Sequence, residues 1–440
     1  MKLPISKQAI GEIMSQMDIS KISDTTIRQS VALTGKLEQL SGAEFVRLEI
    51  GVPGIKACQI GVDAQKQALD NGIASIYPAI SGLPALKESA SRFIKAFINQ
   101  DIGPECIVPT VGSMQAGFNL MMECSQLTPG KDTILYINPG FAPHTLQAKV
   151  MGAKRAMFDI YHFRGEKLRA KLEEYMEQGN IAAIVFSNPN NPSWVCLTEE
   201  ELRIIGECCT KYDVVALEDL AYMCMDFRND KSKPFEPPYQ PTVSRYTDNY
   251  VMMISGSKIF SYAGERIAVV AFSPKLFNRE YPHLRETYGL GRMGDNFILT
   301  FLYVASSGTS HSAQHALAAM MQAAVDGRYN FVEELKEYQR RAIRSKEIFE
   351  KHGFTIVYSM DNDENIGDGF YYTIGYKDLD NETLINYFMR CGISAISLST
   401  TGSEQAGIRA CVSRLNREQD MVNLDERLAL FVKLYDSEKQ

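Results

Sequence analysis

The chain has 440 residues, of which 45% are hydrophobic and 22% are charged. These proportions are those of a soluble globular protein and exclude a disordered, collagenous or fibrous one. The length predicts two or three domains, or one large α/β domain with a smaller companion. The 46 basic and 53 acidic side chains give a net charge of −7. We expect no nucleic-acid partner, because neutralising phosphates requires clustered basic residues.

The amino-terminal stretch and the cysteines indicate the cellular location of the protein. Residues 1–20 contain no uninterrupted apolar segment and no small-residue cleavage site, so they do not indicate a signal peptide. No long apolar window free of charges occurs, so no membrane-spanning helix is expected. The nine cysteines form neither a disulfide framework nor a paired zinc motif. We therefore expect a cytoplasmic protein in a reducing compartment.

The apolar runs, taken in chain order, predict the fold. Residues 1–55 contain helix or loop and a short strand, EFVRLEI, before the turn that begins at Gly51. Over residues 56–325, helical stretches alternate with the runs TILYINP, AAIVFSNP, VVALEDL, YVMMISGS and RIAVVAFS. These runs lack a clean polar alternation, which is typical of strands buried on both faces of a parallel sheet. Their alternation with helices predicts a doubly wound sheet.

After residue 325 the pattern is typical of a smaller α+β domain. The segment FVEELKEYQRRAIRSKEIFEKHG predicts a long helix that stops at Gly353. Strand-like FTIVYS, GFYYTIGY and IRACVSRL follow, together with helices around ETLINYFMRCG and NLDERLALFVKLYDS. We predict a large domain over residues 56–325 and a small domain over residues 326–440, which the segment 1–55 joins.

Polar residues follow three successive predicted strands. Asn188 and Asn191 follow AAIVFS, Asp219 ends VVALED, and Lys258 follows YVMMIS. Ligands of open parallel sheets bind at the carboxyl ends of the strands, so we expect these side chains to share one site. Pyridoxal 5′-phosphate needs a lysine for a Schiff base, an anion near its pyridine nitrogen and a phosphate cradle. The sequence therefore favours this cofactor.

A phosphate cradle is predicted at the start of a helix. In TVGSMQAGFNLMM, the backbone N–H groups of Gly112, Ser113 and Met114 would hold a phosphate at the helix N-terminus. Arg266 follows Lys258 by eight residues, in GERIAVV.

Six motifs then occur in one order: Y-x4-G-x2-A-L from Tyr77 to Leu86, G-S-M-Q-A, P-G-F, N-P-N-N-P, D-x2-Y and S-x-S-K-x7-R. From about Val46 to Leu415 the chain thereby resembles the class I/II aminotransferases of the aspartate aminotransferase superfamily. S-x-S-K or D-x2-Y alone would be a weak signal, whereas the ordered set is specific. The resemblance implies fold type I, with a mostly parallel doubly wound sheet in the large domain. It also implies a pyridoxal-phosphate-dependent transferase acting on an α-amino acid and a 2-oxo acid.

The resemblance implies roles for the residues that match these motifs. Lys258 matches the Schiff-base lysine and the base of the 1,3-proton shift, and Asp219 matches the partner of the pyridine nitrogen. Tyr222 and Asn191 match groups that are hydrogen-bonded to the ring hydroxyl. The expected catalytic residues are thus Lys258, Asp219 and Tyr222. Further expected cofactor contacts are Gly112, Ser113 and Met114, the ring-stacking Phe141, and Ser255, Ser257 and Arg266.

The resemblance also implies substrate contacts and a second subunit. Arg409 in GIRACVS resembles the arginine that binds the substrate α-carboxylate with two hydrogen bonds, and Arg414 is its alternative. Asn191 and Gly51 are the other expected substrate contacts. Tyr77 matches a tyrosine that reaches the cofactor phosphate of the neighbouring subunit, which implies a homodimer with shared sites.

Two departures from the family pattern leave the substrate open. N-P-S-W stands where the family usually has N-P-T-G, so Trp194, the only tryptophan, is expected near the site. The usual G-x-R-x-G becomes G-E-R-I-A over residues 264–268. β-Elimination, as in a carbon–sulfur lyase, and decarboxylation on the same fold remain alternatives to transamination. A non-catalytic ligand sensor is an alternative of another class, and it would normally need an added DNA-binding module.

Three further patterns are interpreted as structural. G-x-G-x-x-G at residues 289–294 follows a charged helical segment rather than a strand, so it is not a dinucleotide fingerprint. Arg292 in this loop is a candidate contact for an acidic substrate side chain. His311 and His315 lack the glutamate of H-E-x-x-H and are expected on a helix surface. The acidic segment 361–365 does not match a calcium loop and is expected to be a solvated turn. No metal site is expected.

Overall fold

The computed structural model describes residues 3–439 and contains a seven-stranded sheet. Its strands are β1 (Ile107–Thr110), β2 (Thr133–Asn138), β3 (Lys154–Asp159), β4 (Ile181–Ser187), β5 (Val215–Asp219), β6 (Tyr250–Ser255) and β7 (Ala268–Phe272). They lie in the order β1-β7-β6-β5-β4-β2-β3. Neighbouring strands pair in parallel except at β7, which runs antiparallel to both β1 and β6. The predicted mostly parallel sheet is confirmed, and RIAVVAFS forms its one antiparallel strand.

Helices connect these strands and cover the sheet. Helix Gly112–Cys124 contacts β5, β6 and β7. The other helices of this region are Gln59–Asp70, Pro84–Ile98, Ala142–Met151, Lys167–Met176, Glu199–Tyr212, Gly256–Ile259, Pro274–Phe277, Pro282–Tyr288, Met293–Asn296, the π-helix Phe297–Leu302, Tyr303–Ser306 and His311–Val325. Within residues 3–439, none of the helices is long and apolar enough to cross a membrane.

A smaller antiparallel sheet follows in the chain. Its strands are β8 (Thr355–Ile356), β9 (Tyr371–Gly375), β10 (Ile396–Ser397) and β11 (Ile408–Cys411), in the order β10-β11-β9-β8. The accompanying helices are Phe331–Lys351, Asn381–Arg390 and Glu418–Lys439. The predicted long helix is confirmed, and Gly353 just beyond it has φ +82°, a conformation that glycine adopts without steric cost.

The amino-terminal segment contacts this second region. Its helices are Lys7–Gln16 and Ile27–Ser41, and the first contacts helix Asn381–Arg390. Val46–Arg47 pairs in parallel with Ile393–Ser394. These contacts support our proposal that residues 1–55 join the small domain, with the domain boundaries at 55 and 325.

The acidic segment 361–365 differs from the expected solvated turn. Met360–Asp361 pairs with Glu364–Asn365 in a hairpin, and Asp361 is buried. Its carboxylate accepts hydrogen bonds from Arg228 at 2.9 Å and Arg164 at 3.3 Å. The expectation was wrong for Asp361 because both arginines come from distant parts of the chain and neutralise a charge that the local sequence leaves unpaired.

Candidate active site

The carboxyl ends of three neighbouring strands carry the polar residues that the sequence singled out. Asp219 is the last residue of β5, and it is paired in register with Ser187 of β4 and Met253 of β6. Asn191 lies in the loop after β4, and Lys258 lies in the short helix after β6. The side chains therefore meet at one edge of the sheet.

Lys258 has its amine inside this site. Its Nζ donates to the carbonyl oxygen of Gly51 and lies 5.1 Å from the centre of the Phe370 ring. Burial lowers the pKa of Lys258 to about 8, and the positive charges of Arg409 and Arg266 act in the same direction. A larger fraction of this amine is therefore neutral near pH 7 than of a solvent-exposed lysine, as a nucleophile or base requires.

Asp219 is a buried acid with few partners. Its side chain accepts a hydrogen bond from the Ala221 N–H at 3.0 Å, and its other oxygen lies 4.0 Å from His144 Nε2. Burial raises the pKa of Asp219 to about 6 and lowers the pKa of His144 to about 4, so the imidazole is neutral at pH 7. No cation neutralises Asp219 within the described residues. The carboxylate can therefore accept a hydrogen bond from a cationic N–H.

His144 was missed by the sequence analysis. It lies in the first turn of helix Ala142–Met151, three residues after Phe141, and the two rings meet edge to face at 5.2 Å. Its Nε2 is buried without a hydrogen-bond partner among the described residues. The available signal was the histidine in PGFAPH, directly after a strand end.

Tyr222 belongs to a chain of buried hydrogen bonds. Asn191 Nδ2 donates to Tyr222 Oη at 3.4 Å, and Tyr222 Oη donates to Tyr371 Oη at 3.0 Å. Burial raises the pKa of Tyr222 well above its ordinary value, which keeps the phenol protonated as a donor. Tyr371 lies on β9 and was also missed, because GFYYTIGY does not show which of its aromatic residues faces the site.

Arg409 is 2% exposed and lies beside the same group. Its guanidinium donates to Asn191 Oδ1 at 3.2 Å and to the carbonyl oxygen of Glu49, and it covers the Tyr371 ring at 4.6 Å from the ring centre. Its Nε is buried and has no partner among the described residues. The alternative, Arg414, is exposed. The structure thus brings Arg409 and not Arg414 to the site.

Gly112 and Arg266 lie together at the start of helix Gly112–Cys124. Gly112 has φ +68°, and a Cβ at this position would lie 2.5 Å from Arg266 Nη2, so only glycine allows the guanidinium this close to the backbone. Arg266 Nη1 donates to the Ala263 carbonyl at 2.8 Å and to Ser257 Oγ at 3.5 Å. Ser255 Oγ in turn accepts from the Ser257 N–H at 3.1 Å. Ser113 and Met114 continue the first helical turn.

Other predicted residues lie apart from this group. Tyr77 is 92% exposed and lines a surface cleft of about 560 Å³ together with residues 306–312. Arg292 is half exposed and donates to Asp295 at 2.7 Å. The histidines of helix His311–Val325 stack with ring centres 5.5 Å apart, and no group of three metal-ligating side chains occurs in residues 3–439.

Trp194 is close to the site, as expected, but fully buried behind it. Its ring meets Tyr222 edge to face at 5.6 Å and Tyr371 at 6.4 Å. A Cβ at Gly369 would lie 2.0 Å from the indole, so the two residues are complementary in size. The indole packs against both phenols, and its Nε1 has no hydrogen-bond partner among the described residues.

This architecture is that of the fold type I aminotransferases. Residues 43–419 match the family model for aminotransferase class I and II, and the chain belongs to this family. The resemblance stated from the sequence is thereby confirmed. Members of the family use pyridoxal phosphate.

Curated relatives of the chain are named aminotransferases. A probable aspartate aminotransferase of Methanocaldococcus jannaschii is 25% identical over 283 residues, which is 64% of this chain and 68% of that protein. The aspartate aminotransferase of Bacillus subtilis is 26% identical over 58% of this chain and 63% of its own length. A probable N-acetyl-LL-diaminopimelate aminotransferase of Bacillus subtilis is 29% identical over 53% and 56%.

Solved structures extend the likeness over almost the whole chain. The Thermus thermophilus aspartate aminotransferase with maleate has a TM-score of 0.72 at 18% identity and covers 92% of this chain and 96% of its own. An aminotransferase from Mycobacterium tuberculosis has a TM-score of 0.75 at 14% identity over the same shares. At these identities the likeness establishes the fold.

Proposed function

We propose that the protein is a pyridoxal-phosphate-dependent aminotransferase that exchanges an amino group between an α-amino acid and a 2-oxo acid by a ping-pong mechanism. The observation that carries the proposal is the meeting of three features at one sheet edge: the buried amine of Lys258, the acid Asp219, and the Arg266 guanidinium beside the helix N-terminus at Gly112. When bound, the cofactor supplies a sink for the electrons released as a substrate Cα–H bond breaks.

The residues present fit this cofactor. The glycine-lined helix N-terminus and the Arg266 guanidinium suit a phosphate, because both provide donors and positive charge. Asp219 suits a protonated ring nitrogen, since it is buried without a cation. The residues that would hold the group are Gly112, Ser113, Met114, Phe141, Asn191, Asp219, Tyr222, Ser255, Ser257, Lys258 and Arg266.

The remaining roles belong to the substrate. Lys258, with its pKa lowered to about 8, would act as the base that takes the proton from the substrate Cα. Arg409 binds the α-carboxylate, and its orientation is held by Asn191 and the Glu49 carbonyl. Gly51, whose carbonyl oxygen accepts from the Lys258 amine, is the other proposed substrate contact. Because the amino group is stored between two half-reactions, the kinetics are ping-pong.

A half-reaction screen tests this proposal. The holoprotein is mixed with each amino acid in turn while its visible absorbance is followed, with aspartate first because two of the relatives above are named aspartate aminotransferases. We expect one amino acid to discharge the band and a 2-oxo acid such as 2-oxoglutarate or pyruvate to restore it. Release of ammonia or CO2 without restoration would instead identify elimination or decarboxylation. A colourless protein that gains no band with pyridoxal phosphate would contradict cofactor binding.

We also propose a homodimer with shared active sites. Tyr77 is almost fully exposed in the single chain, as expected of a residue that serves a neighbouring subunit. The segment just before its cleft partner Ser306 exposes three large apolar side chains, Leu299, Tyr303 and Val304. An apolar surface of this kind marks a contact with another protein, and a two-fold dimer would bury it on both subunits.

Subunit mixing tests the shared site. Tyr77→Phe and Lys258→Ala are prepared as homodimers, then unfolded and refolded together. A mixed dimer has one site with both residues intact and one with both defects, so we expect activity above the average of the parents, given that Tyr77→Phe alone is impaired. Parental-average activity despite formation of mixed dimers would place Tyr77 in the site of its own chain.

A further proposal concerns the cellular location of the protein. All nine cysteines are unpaired and buried in the structure. Free thiols persist in reducing compartments, and we propose the cytoplasm. Detection of a disulfide in protein isolated from its native cells under thiol-blocking conditions would contradict this location.

A further inference from the structure

Tyr371 connects two residues of the proposed site that come from different regions. Its hydroxyl accepts a hydrogen bond from Tyr222, which follows β5, and its ring lies under the guanidinium of Arg409 on β11. All three side chains are buried. The same hydroxyl lies 2.0 Å from where a Cβ of Gly51 would be, so the absence of a side chain at Gly51 gives Tyr371 its position.

Trp194 packs against both Tyr222 and Tyr371. It has φ +65°, a left-handed backbone conformation that is unfavourable for a non-glycine residue, in a loop beside the site. The indole is fully buried, contacts the rings of Tyr222 and Tyr371 edge to face, and is accommodated by the absence of a side chain at Gly369. The two phenols are thus confined by packing as well as by their hydrogen bond.

We propose that Tyr371 is a positioning residue that acts through Tyr222 and sets the strength of the hydrogen bond that Tyr222 donates. This inference rests on the proposed function, in which Tyr222 donates to the ring hydroxyl of the cofactor. Among the hydrogen bonds of residues 3–439, the Tyr371 hydroxyl acts as an acceptor, and its own proton is available. Once Tyr222 turns its proton toward the cofactor, Tyr371 donates to the Tyr222 oxygen.

The physical consequence is a stronger donor at Tyr222. Hydrogen bonds in a chain polarise one another, so a phenol that accepts one hydrogen bond donates a better one. A better donor stabilises the anionic form of the oxygen that it contacts. When the cofactor is bound, Tyr371 would thereby favour the deprotonated state of the ring hydroxyl and of the Schiff-base nitrogen. The pH midpoint of the cofactor's visible absorbance band reports this state directly.

The test is a pH titration of the visible band in the holoprotein. Tyr371→Phe removes the hydroxyl and keeps the ring beside Arg409. We expect the midpoint to rise by about 0.1–0.7 pH unit, because polarisation changes about 10–30% of the strength of one hydrogen bond to a charged group. The matched control is Tyr372→Phe, because Tyr372 is the next residue on the same strand, is equally buried, and bonds Ser345 at 2.7 Å instead. Its midpoint should equal that of the wild type.

A double-mutant cycle shows whether Tyr371 acts through Tyr222. In a Tyr222→Phe background, Tyr371→Phe should cause no further shift, because the residue that carries the effect is gone. Equal shifts in both backgrounds would mean that Tyr371 acts independently of Tyr222 and would overturn the proposal. Tyr371→Leu also lacks the hydroxyl and must show the upward shift, which keeps the test decisive if one variant folds poorly.

The outcomes separate this inference from the proposed function. A wild type without a visible band refutes the proposed cofactor. A wild type with a band whose midpoint is unchanged in Tyr371→Phe and Tyr371→Leu leaves the aminotransferase proposal intact and overturns the role of Tyr371. An upward shift in both variants and none in Tyr372→Phe, together with its loss in the Tyr222→Phe background, supports it.

Discussion

Two buried carboxylates of the large domain have opposite surroundings. Glu201, on helix Glu199–Tyr212, is held by Arg164 at 2.7 and 3.0 Å and by the backbone N–H groups of Gly165 and Thr198, each at 2.9 Å. Although burial acts to raise its pKa, the Arg164 guanidinium and the backbone N–H groups of Thr198 and Gly165 together outweigh burial, and the pKa of Glu201 is lowered. Asp219, equally buried, has one backbone N–H and a neutral histidine, and burial raises its pKa to about 6.

The difference fits a structural role for Glu201 and a ligand-binding role for Asp219. A buried charge that serves the fold has its oxygens bonded to a cation and to donors within the chain, as Glu201 has. A buried acid whose charge is left uncompensated is costly to the fold and is retained where a ligand supplies the missing partner. Replacing the two acids should therefore change different measured quantities.

The largest expected effect is on stability. We expect Glu201→Ala to lower the free energy of unfolding by about 3–5 kcal/mol, because it leaves the Arg164 charge buried without its partner. Urea denaturation measures this loss. Glu207→Ala on the same helix is the control, since Glu207 pairs with Arg169 at the surface and should cost less than about 1 kcal/mol. Similar losses for both variants would contradict a structural role for Glu201.

The stability of the wild type relative to a variant of each acid should also depend on pH. The two dependences should run in opposite directions for Asp219 and Glu201. The pKa of Asp219 in the folded cofactor-free protein is about 6, above its ordinary 3.8. The stability that protonated Asp219 contributes is therefore complete below about pH 4 and is lost as the pH rises through 6. Between pH 4 and 7 the wild type should lose roughly 2 kcal/mol relative to Asp219→Asn.

The lowered pKa of Glu201 reverses this dependence. Its contribution is present above its ordinary pKa of 4.5 and is lost as the pH falls through the lower folded value. Relative to Glu201→Gln, the wild type should therefore lose stability toward acid. Denaturation of the cofactor-free proteins at several pH values gives both differences. If both differences changed with pH in the same direction, the comparison would be wrong.

Asp219 should matter for catalysis, whereas Glu201 matters for stability. We expect Asp219→Asn to lower kcat by at least ~100-fold, about 2.7 kcal/mol of transition-state stabilisation, because the ring nitrogen loses the anion that keeps it protonated. At pH 7 the variant should be at least as stable as the wild type. A normal kcat accompanied only by a changed KM would show that Asp219 does not assist the chemical step.

The smallest expected effect concerns the substrate arginine. Arg409→Lys should raise the KM for the amino acid by about tenfold, or about 1.4 kcal/mol, because lysine cannot form a planar pair of hydrogen bonds to a carboxylate. The cofactor absorbance should stay that of the wild type. Arg414→Lys is the matched control and should behave normally, since Arg414 is exposed. The reverse pattern would assign the carboxylate to Arg414.

The sequence was informative where a local pattern determines the structure. Asn191, Asp219 and Lys258 each follow an apolar run, and parallel strands bring such ends together regardless of the helices between them. The direction of β7 could not be predicted in the same way, because RIAVVAFS has the composition of its parallel neighbours. Only its connections in the sheet make it antiparallel.

Contacts between distant segments were beyond the sequence. Tyr222 and Tyr371 are 149 positions apart, and no local pattern in either segment indicates the other. Asp361 lies 133 positions from Arg228, so its burial could not be foreseen from an acidic stretch. Tyr77 is a different case, because its predicted contact is with a second chain. Its 92% exposure in the single chain is what this prediction requires.

The most direct test of the account is the position of the cofactor's covalent bond. Reduction of the holoprotein with borohydride converts a Schiff base into a stable amine, and mass spectrometry of the digested protein then locates the labelled lysine. We expect the label on the peptide that contains Lys258 and its loss, together with turnover, in Lys258→Ala. A label on another lysine, or normal turnover in Lys258→Ala, would contradict the assignment of the active site to this edge of the sheet.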